Sequence, residues 1–143
     1  MWRVPGPYAA GVPDRHELDR LLIGLRPTLA PEPYVYALGP APAGTLVFAT
    51  VAEDEGLTLV LTRDEADAAG LRPVWEAARI TLRVDSSLTD VGLIATVSSR
   101  LESHGIPCNV IAGFFHDHLM VPWDRGDEAL GLLQQLVREA TTG

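Results

Sequence analysis

Two periods of apolar recurrence run along this chain, and the switches between them mark its elements. Leu18, Leu21, Leu22 and Leu25 return at helical spacing. Asp14, with Glu17 three residues later, suits the start of that helix, and Pro27 stops it. A proline-rich passage follows, PTLAPEPYVYALGPAPAG, whose YVYAL core alternates as a short strand between breakers. TLVFATVA and GLTLVLT predict two further strands joined through the acidic tip Glu53-Asp54-Glu55-Gly56. Thr62 and Glu65 stand at capping-box spacing before a short helix that Gly70 ends.

The second half repeats the alternation of periods more cleanly. ARITLRV, Ala78 to Val84, is a strand with Ile80, Leu82 and Val84 on one face. Ser87 and Asp90 suit the cap of a helix carrying Leu88, Val91, Ile94, Ala95 and Leu101 on one stripe, and Gly105 closes it. CNVIAGFF reads as a largely apolar strand, His116-Asp117 lies at or near a turn and HLMVP reads as the next strand. Phe114 and Phe115 then face opposite ways, one to the core. Asp124 with Asp127 repeats the capping arrangement, and Leu130, Leu133, Leu136 and Val137 form the stripe of a last helix. Strand, helix, strand, strand, helix is a split β-α-β layout whose final strand is missing or supplied from elsewhere. The predicted fold class is α+β, an antiparallel sheet with helices packed on one face.

Length allows one compact domain or two small modules, and the pattern divides the 143 residues into an extension at 1–13 and modules at 14–77 and 78–143. Such a chain buries roughly 68% of its unfolded surface, so no metal or disulfide staple is required. A formal net charge of −8 argues against nucleic acid and anionic membrane surfaces as partners, because it repels phosphates. Cys108 is the single cysteine, which fits a reducing, cytoplasmic setting. No apolar run reaches the 18 or so residues that cross a bilayer, and Pro5, Pro7 and Pro13 interrupt any signal-peptide core.

The stretch ITLRVDSSLTDVGLIATVSSRLESHGIPCNVIAGFFHDHLMVP resembles the C-terminal module of bacterial ACT-like proteins that carry two ACT modules in one short chain. EDEGLTLVL and HELDRLLIGLRPTL are similar to the strand and the opening helix that precede that module. A more distant similarity is to the CASTOR family of arginine sensors. The resemblance implies a ferredoxin-like β-α-β-β-α-β fold that binds an amino acid or other small effector where two modules lie side by side. It implies a sensor that passes binding to a protein target, with no chemistry of its own and no cofactor.

Candidate ligand residues fall in two stretches. Asp85, Ser86, Ser87, Leu88, Val91, Gly92 and Leu93 span a strand-to-helix loop, where first-turn amides and the helix dipole suit a carboxylate. This position corresponds to the ligand loop of ACT modules. Gly92, expected inside the helix, implies a close approach to its backbone, by a ligand or by a neighbouring strand. Asn109, Val110, Ile111, Ala112 and Gly113 are expected to start beside that loop, with the amide of Asn109 able to donate and accept. Gly113 marks a bulge or close backbone approach. His116 is a candidate for the pocket rim.

His116-Asp117-His118 is the one stretch that suggests catalysis. Residues two apart on a strand share a side, so the imidazoles could grip a metal ion and support a small metal-dependent enzyme. Zinc usually takes three or four protein ligands, and His16, His104 and Cys108 lack the spacing to complete the set. No nucleophile-base pair, phosphate loop or zinc-protease motif is present. A ligand-independent assembly module is the other alternative. A homodimer is expected, because edge-to-edge pairing covers open strands.

Overall fold

The computed structural model describes residues 15–85 and 90–143. Asp14 and the loop residues Ser86, Ser87 and Leu88 therefore lie outside the described residues. In chain order the elements are α1 (Arg15–Gly24), β1 (Arg26–Leu29), β2 (Tyr34–Leu38), β3 (Ala49–Glu53), β4 (Gly56–Thr62) and α2 (Arg63–Ala68). Then come β5 (Val74–Arg83), α3 (Leu93–Glu102), β6 (Asn109–Ala112), β7 (Asp117–Pro122) and α4 (Gly126–Thr142).

All seven strands join one antiparallel sheet in the order β3-β4-β2-β5-β7-β6, with β1 pairing on β5. The ten-residue β5 organises it. Its first residues pair with β2, its later ones pair with β1 on the same edge, and β7 runs along the other edge. The sheet thus resolves into two four-stranded halves, β3-β4-β2-β5 and β1-β5-β7-β6, which share β5. The fourth strand that the second half lacked in sequence is β1, brought back from some 50 residues earlier through the register Arg26↔Arg83 to Leu29↔Ile80.

β1 departs from the sequence reading, in which Pro27 only stopped a helix. An edge strand pairs on one side, so a residue without an N–H is tolerated there. β5 also begins four residues earlier than expected. Trp75, at φ 55°, forms a bulge opposite the register shift between Val35 and Tyr36, and this lets the strand continue. β3 is shorter than TLVFATVA, because Phe48 leaves the ladder after its N–H bonds Val60 O.

The main core lies under α1, α3 and α4. Ile80 and Leu82 of β5, with Leu119 and Val121 of β7, meet Leu21, Leu22, Leu25, Val97, Leu101 and Leu133. A second cluster packs Val35, Ala37, Leu59 and Leu61 against Ala66 of α2. The alternation along paired strands puts both clusters on one face of the sheet, as the sequence pattern required.

Caps show where local sequence governs. Thr62 Oγ1 accepts from the Glu65 N–H, and Gly70 at φ 66° follows the helix end. Glu65, however, turns its carboxylate to the Leu46 N–H instead of closing the box. The Ile106 N–H reaches back to Leu101 O past Gly105, and buries Ile106. The Asp124–Asp127 cap does not form. A 3-10 turn over Trp123–Arg125 leads into α4, and Arg125 at the N-cap position instead binds Glu128 and the carbonyls of His104 and Gly105.

Candidate effector site

α3 begins at Leu93, later than the Ser87–Asp90 cap implied, so Gly92 is the N-cap rather than a residue inside the helix. Its φ of 100° is a left-handed conformation that disfavours side chains. A Cβ there would also stand 3.2 Å from Leu18 Cδ2. The close approach inferred from the glycine is therefore made, at least in part, by a side chain of α1. Gly92 offers no side-chain acceptor to the first turn. Its carbonyl accepts from the Thr96 N–H and hydroxyl.

The predicted residues spread over one end of the second half and beyond it. Leu82 pairs with Asp117, which pairs with Ala112. The ends of β5 and β6, the start of β7 and the Gly113–His116 turn therefore converge where the chain passes through Asp85 towards α3. Asp85 and Val91 are exposed there. Leu93, by contrast, is a buried core residue. Asn109 pairs with Met120, roughly 10 Å back along the strand, so β6 runs towards the loop with its far end leading. Alternation also divides β6: Ile111 packs on the helix-free side with Met120, and Val110 points the other way.

Gly113 is needed for closeness. Its N–H bonds His116 O at 2.9 Å, and a Cβ would lie 2.8 Å from that same oxygen. The turn occupies Gly113–His116, and Asp117 already belongs to β7. The turn thus ends at His116 with Asp117 beside it, in keeping with a turn at or near this pair. Phe114 and Phe115, expected to split between core and surface, are both exposed and pack edge-to-face on each other at 5.2 Å.

His118 and Asp117 point to opposite sides of the sheet. His118 pairs with Thr81 and Ile111, and its Nδ1 lies 3.0 Å from Thr81 Oγ1. Burial, with the charges of Arg79, His116 and Arg83, pushes its pKa down to about 4, so the ring is neutral at pH 7. Asp117 is raised by burial and lowered in part by His116. Burial pushes the Cys108 thiol up to about 11, in keeping with a packed, inert side chain. Among the described residues, no three His, Cys, Asp or Glu side chains gather as a metal site.

A cluster that the sequence reading missed lies on the helix-free face. Tyr34, Val60, Ala77 and Met120 are buried there. The Arg79 guanidinium carbon stands 4.7 Å from the Tyr34 ring centre and 4.5 Å from that of Phe48. Phe48 in turn meets His118 edge-on at 5.0 Å. Alternation marks Arg79, Thr81 and Arg83 as one face, but only the strand register shows that His118 joins them.

Comparison with known families decides the lineage. ACT-domain models match residues 14–78 and 76–135. This chain belongs to the ACT-domain family. It carries two ACT modules, and the shared β5 serves both. In the first, the 39–48 segment between β2 and β3 forms no helix, whereas α3 stands at that place in the second. ACT domains are regulatory modules that bind small molecules.

The chain is 37% identical to a Vibrio cholerae protein of unknown function described as a possible transport protein, with a TM-score of 0.75 over 84% of this chain and 95% of that one. An Agrobacterium tumefaciens protein shares the fold at 21% identity and TM-score 0.62, covering 79% and 89% of the two chains. The regulatory subunit of Thermus thermophilus aspartate kinase, in its ligand-free form, does so at 12% identity and TM-score 0.61, covering 77% and 95%. No curated protein matches the sequence. Among the described residues, no helix is long and apolar enough to cross a membrane.

Proposed function

We propose that this chain is a non-enzymatic, cytoplasmic ACT sensor that binds an amino acid at the β5–α3 connection and passes the binding event to a protein target. The observation that carries the reading is the tandem ACT match over nearly the whole chain, together with a helix start at Leu93 whose N-cap is a glycine. A carboxylate placed against the Leu93–Ala95 amides meets the positive end of the α3 dipole. Asp85, Val91 and Gly92 flank it, and Ser86, Ser87 and Leu88 are assigned to the same site from the sequence. Ala112, Gly113 and His116, at the same end of the sheet, face the ligand's side chain.

The protein acts as a homodimer in this account. β3 and β6 end the main strand path with open edges, β1 being a further edge strand, and β6 continues into the exposed Phe114 and Phe115. Pairing along such an edge removes unsatisfied backbone groups and brings two effector loops into one assembly.

The test is a thermal-shift panel of amino acids. A ligand at a hundredfold excess over Kd adds about 2.7 kcal/mol to the stability of the folded state. At least one amino acid at millimolar concentration raises Tm by several degrees. A panel that leaves Tm unmoved, in a chain whose dimer forms regardless, would point to a plain assembly module.

A further inference from the structure

Arg79 is set apart from the other cations of this acidic chain. Arg63 pairs with Asp67 and Glu76, Arg100 with Glu139, and Arg125 with Glu128. Arg20, Arg72 and Arg138 are exposed to water. Arg79 is half-buried on the helix-free face, and among the described residues nothing accepts a hydrogen bond from its guanidinium. Its Nε is fully buried without a partner. The Tyr34 and Phe48 rings lie only 5.6 Å apart, so they cannot sandwich the guanidinium, which rests in the angle between them. That arrangement holds the fork in place and leaves its donors unused.

A second orphan stands nearby. His116 Nδ1 is the other buried side-chain nitrogen without a partner among the described residues. The charges of both Arg79 and His116 act on His118. Cationic residues continue along the same face: Arg83 lies beyond Thr81, and Arg26 is directly opposite Arg83. Both have acceptors already: Arg26 donates to the carbonyls of Ile23 and Leu25, and Arg83 Nε donates to Thr28 Oγ1. Burying polar nitrogens without acceptors is costly, and a ligand that supplies the acceptors removes that cost.

We propose that the helix-free face of the sheet holds a second binding site, in which the Arg79 fork takes the carboxylate of a small organic acid, with His116 and His118 beside it. The 3.0 Å contact between Thr81 Oγ1 and His118 Nδ1 engages one ring nitrogen, and in the Nε2-protonated tautomer the other is a neutral donor. One fixed positive charge next to a neutral donor suits a singly charged carboxylate better than a phosphate dianion. The site is on β5 and β7 rather than at the α3 start, and it shares only His116 with the amino-acid reading.

The Arg79 Nε–H group provides a local reporter. In 15N spectra of the full chain, we expect acetate and benzoate at constant ionic strength to shift its resonance saturably, while chloride does not. The Arg79→Gln variant should bind benzoate about tenfold or more weakly by calorimetry. Arg79→Lys, which keeps the charge and loses the fork, should also weaken it. The wild-type titration needs no variant to fold. An Nε resonance unmoved by either carboxylate would overturn the proposal, as would saturable shifts with inorganic phosphate alone. Movement of the 90–95 amides with a still Nε would support the effector loop and reject this site. Movement of Nε with still loop amides would support this site.

Discussion

Acidification should destabilise this protein through His118 in a way that one variant can isolate. The imidazole has an ordinary pKa of 6.5 and is held at about 4 in the fold by burial first, then by the charges of Arg79, His116 and Arg83. A base with a depressed folded pKa binds its proton more tightly when unfolded. Stability is therefore fully present above pH 6.5 and falls as pH drops from 6.5 towards 4. The whole span corresponds to about 3.4 kcal/mol. His118 keeps partial contact with solvent, and screening leaves about 1–2 kcal/mol of that. Equilibrium urea unfolding at several pH values between 7 and 4, on wild type and His118→Phe, measures it. Phenylalanine keeps a ring against Phe48 and cannot titrate. Carboxylates held low by ion pairs, such as Glu128 and Glu139, lose stability with acid in both proteins and cancel in the difference. Wild type should lose about 1–2 kcal/mol more than the variant over this range. Parallel curves would refute the buried, neutral state of His118 and its bond to Thr81.

Three further outcomes follow from the packing. Leu25→Ala, at a side chain 1% exposed between α1 and β1 in the main core, should cost about 2–5 kcal/mol in urea unfolding, whereas a cost below 1 kcal/mol would contradict the docking of α1 and β1 onto the second module. Gly92→Ala should cost about 1–2 kcal/mol because of its left-handed φ, and the added change Leu18→Ala should not restore the loss, since it relieves the contact but not the backbone. Cys108, with its thiol pushed up to about 11, should react with a disulfide probe at pH 8 far more slowly in the native protein than in urea, and equal rates would deny its burial.

The legible parts of the fold were those set by local chemistry. YVYAL, GLTLVLT and ARITLRV carry two-residue alternation, and each lies within an observed strand but for the last residue of the third. Thr62 caps α2 as its spacing requires, and Leu133 and Leu136 of α4 are buried as the stripe requires. Pairing across long separations leaves no such mark. RPTL holds a proline and no apolar alternation, yet it completes the second module because β5 presents an edge to it. Gly92 is conspicuous in the sequence, but what comes close to it is Leu18, some 74 residues earlier. The grouping of Arg79, Tyr34, Phe48 and His118 escaped for the same reason: the four residues come from different stretches, and only strand register brings them together.

Backbone amide mapping tests the central claim most directly. The amino acid giving the largest rise in Tm is titrated into the 15N-labelled chain, and perturbed amides are placed on the structure. The account predicts saturable shifts concentrated at residues 85–95 and 112–116, at the end of the second module where β5 hands over to α3. Shifts confined to the first module, or the absence of saturable shifts with any amino acid, would contradict it.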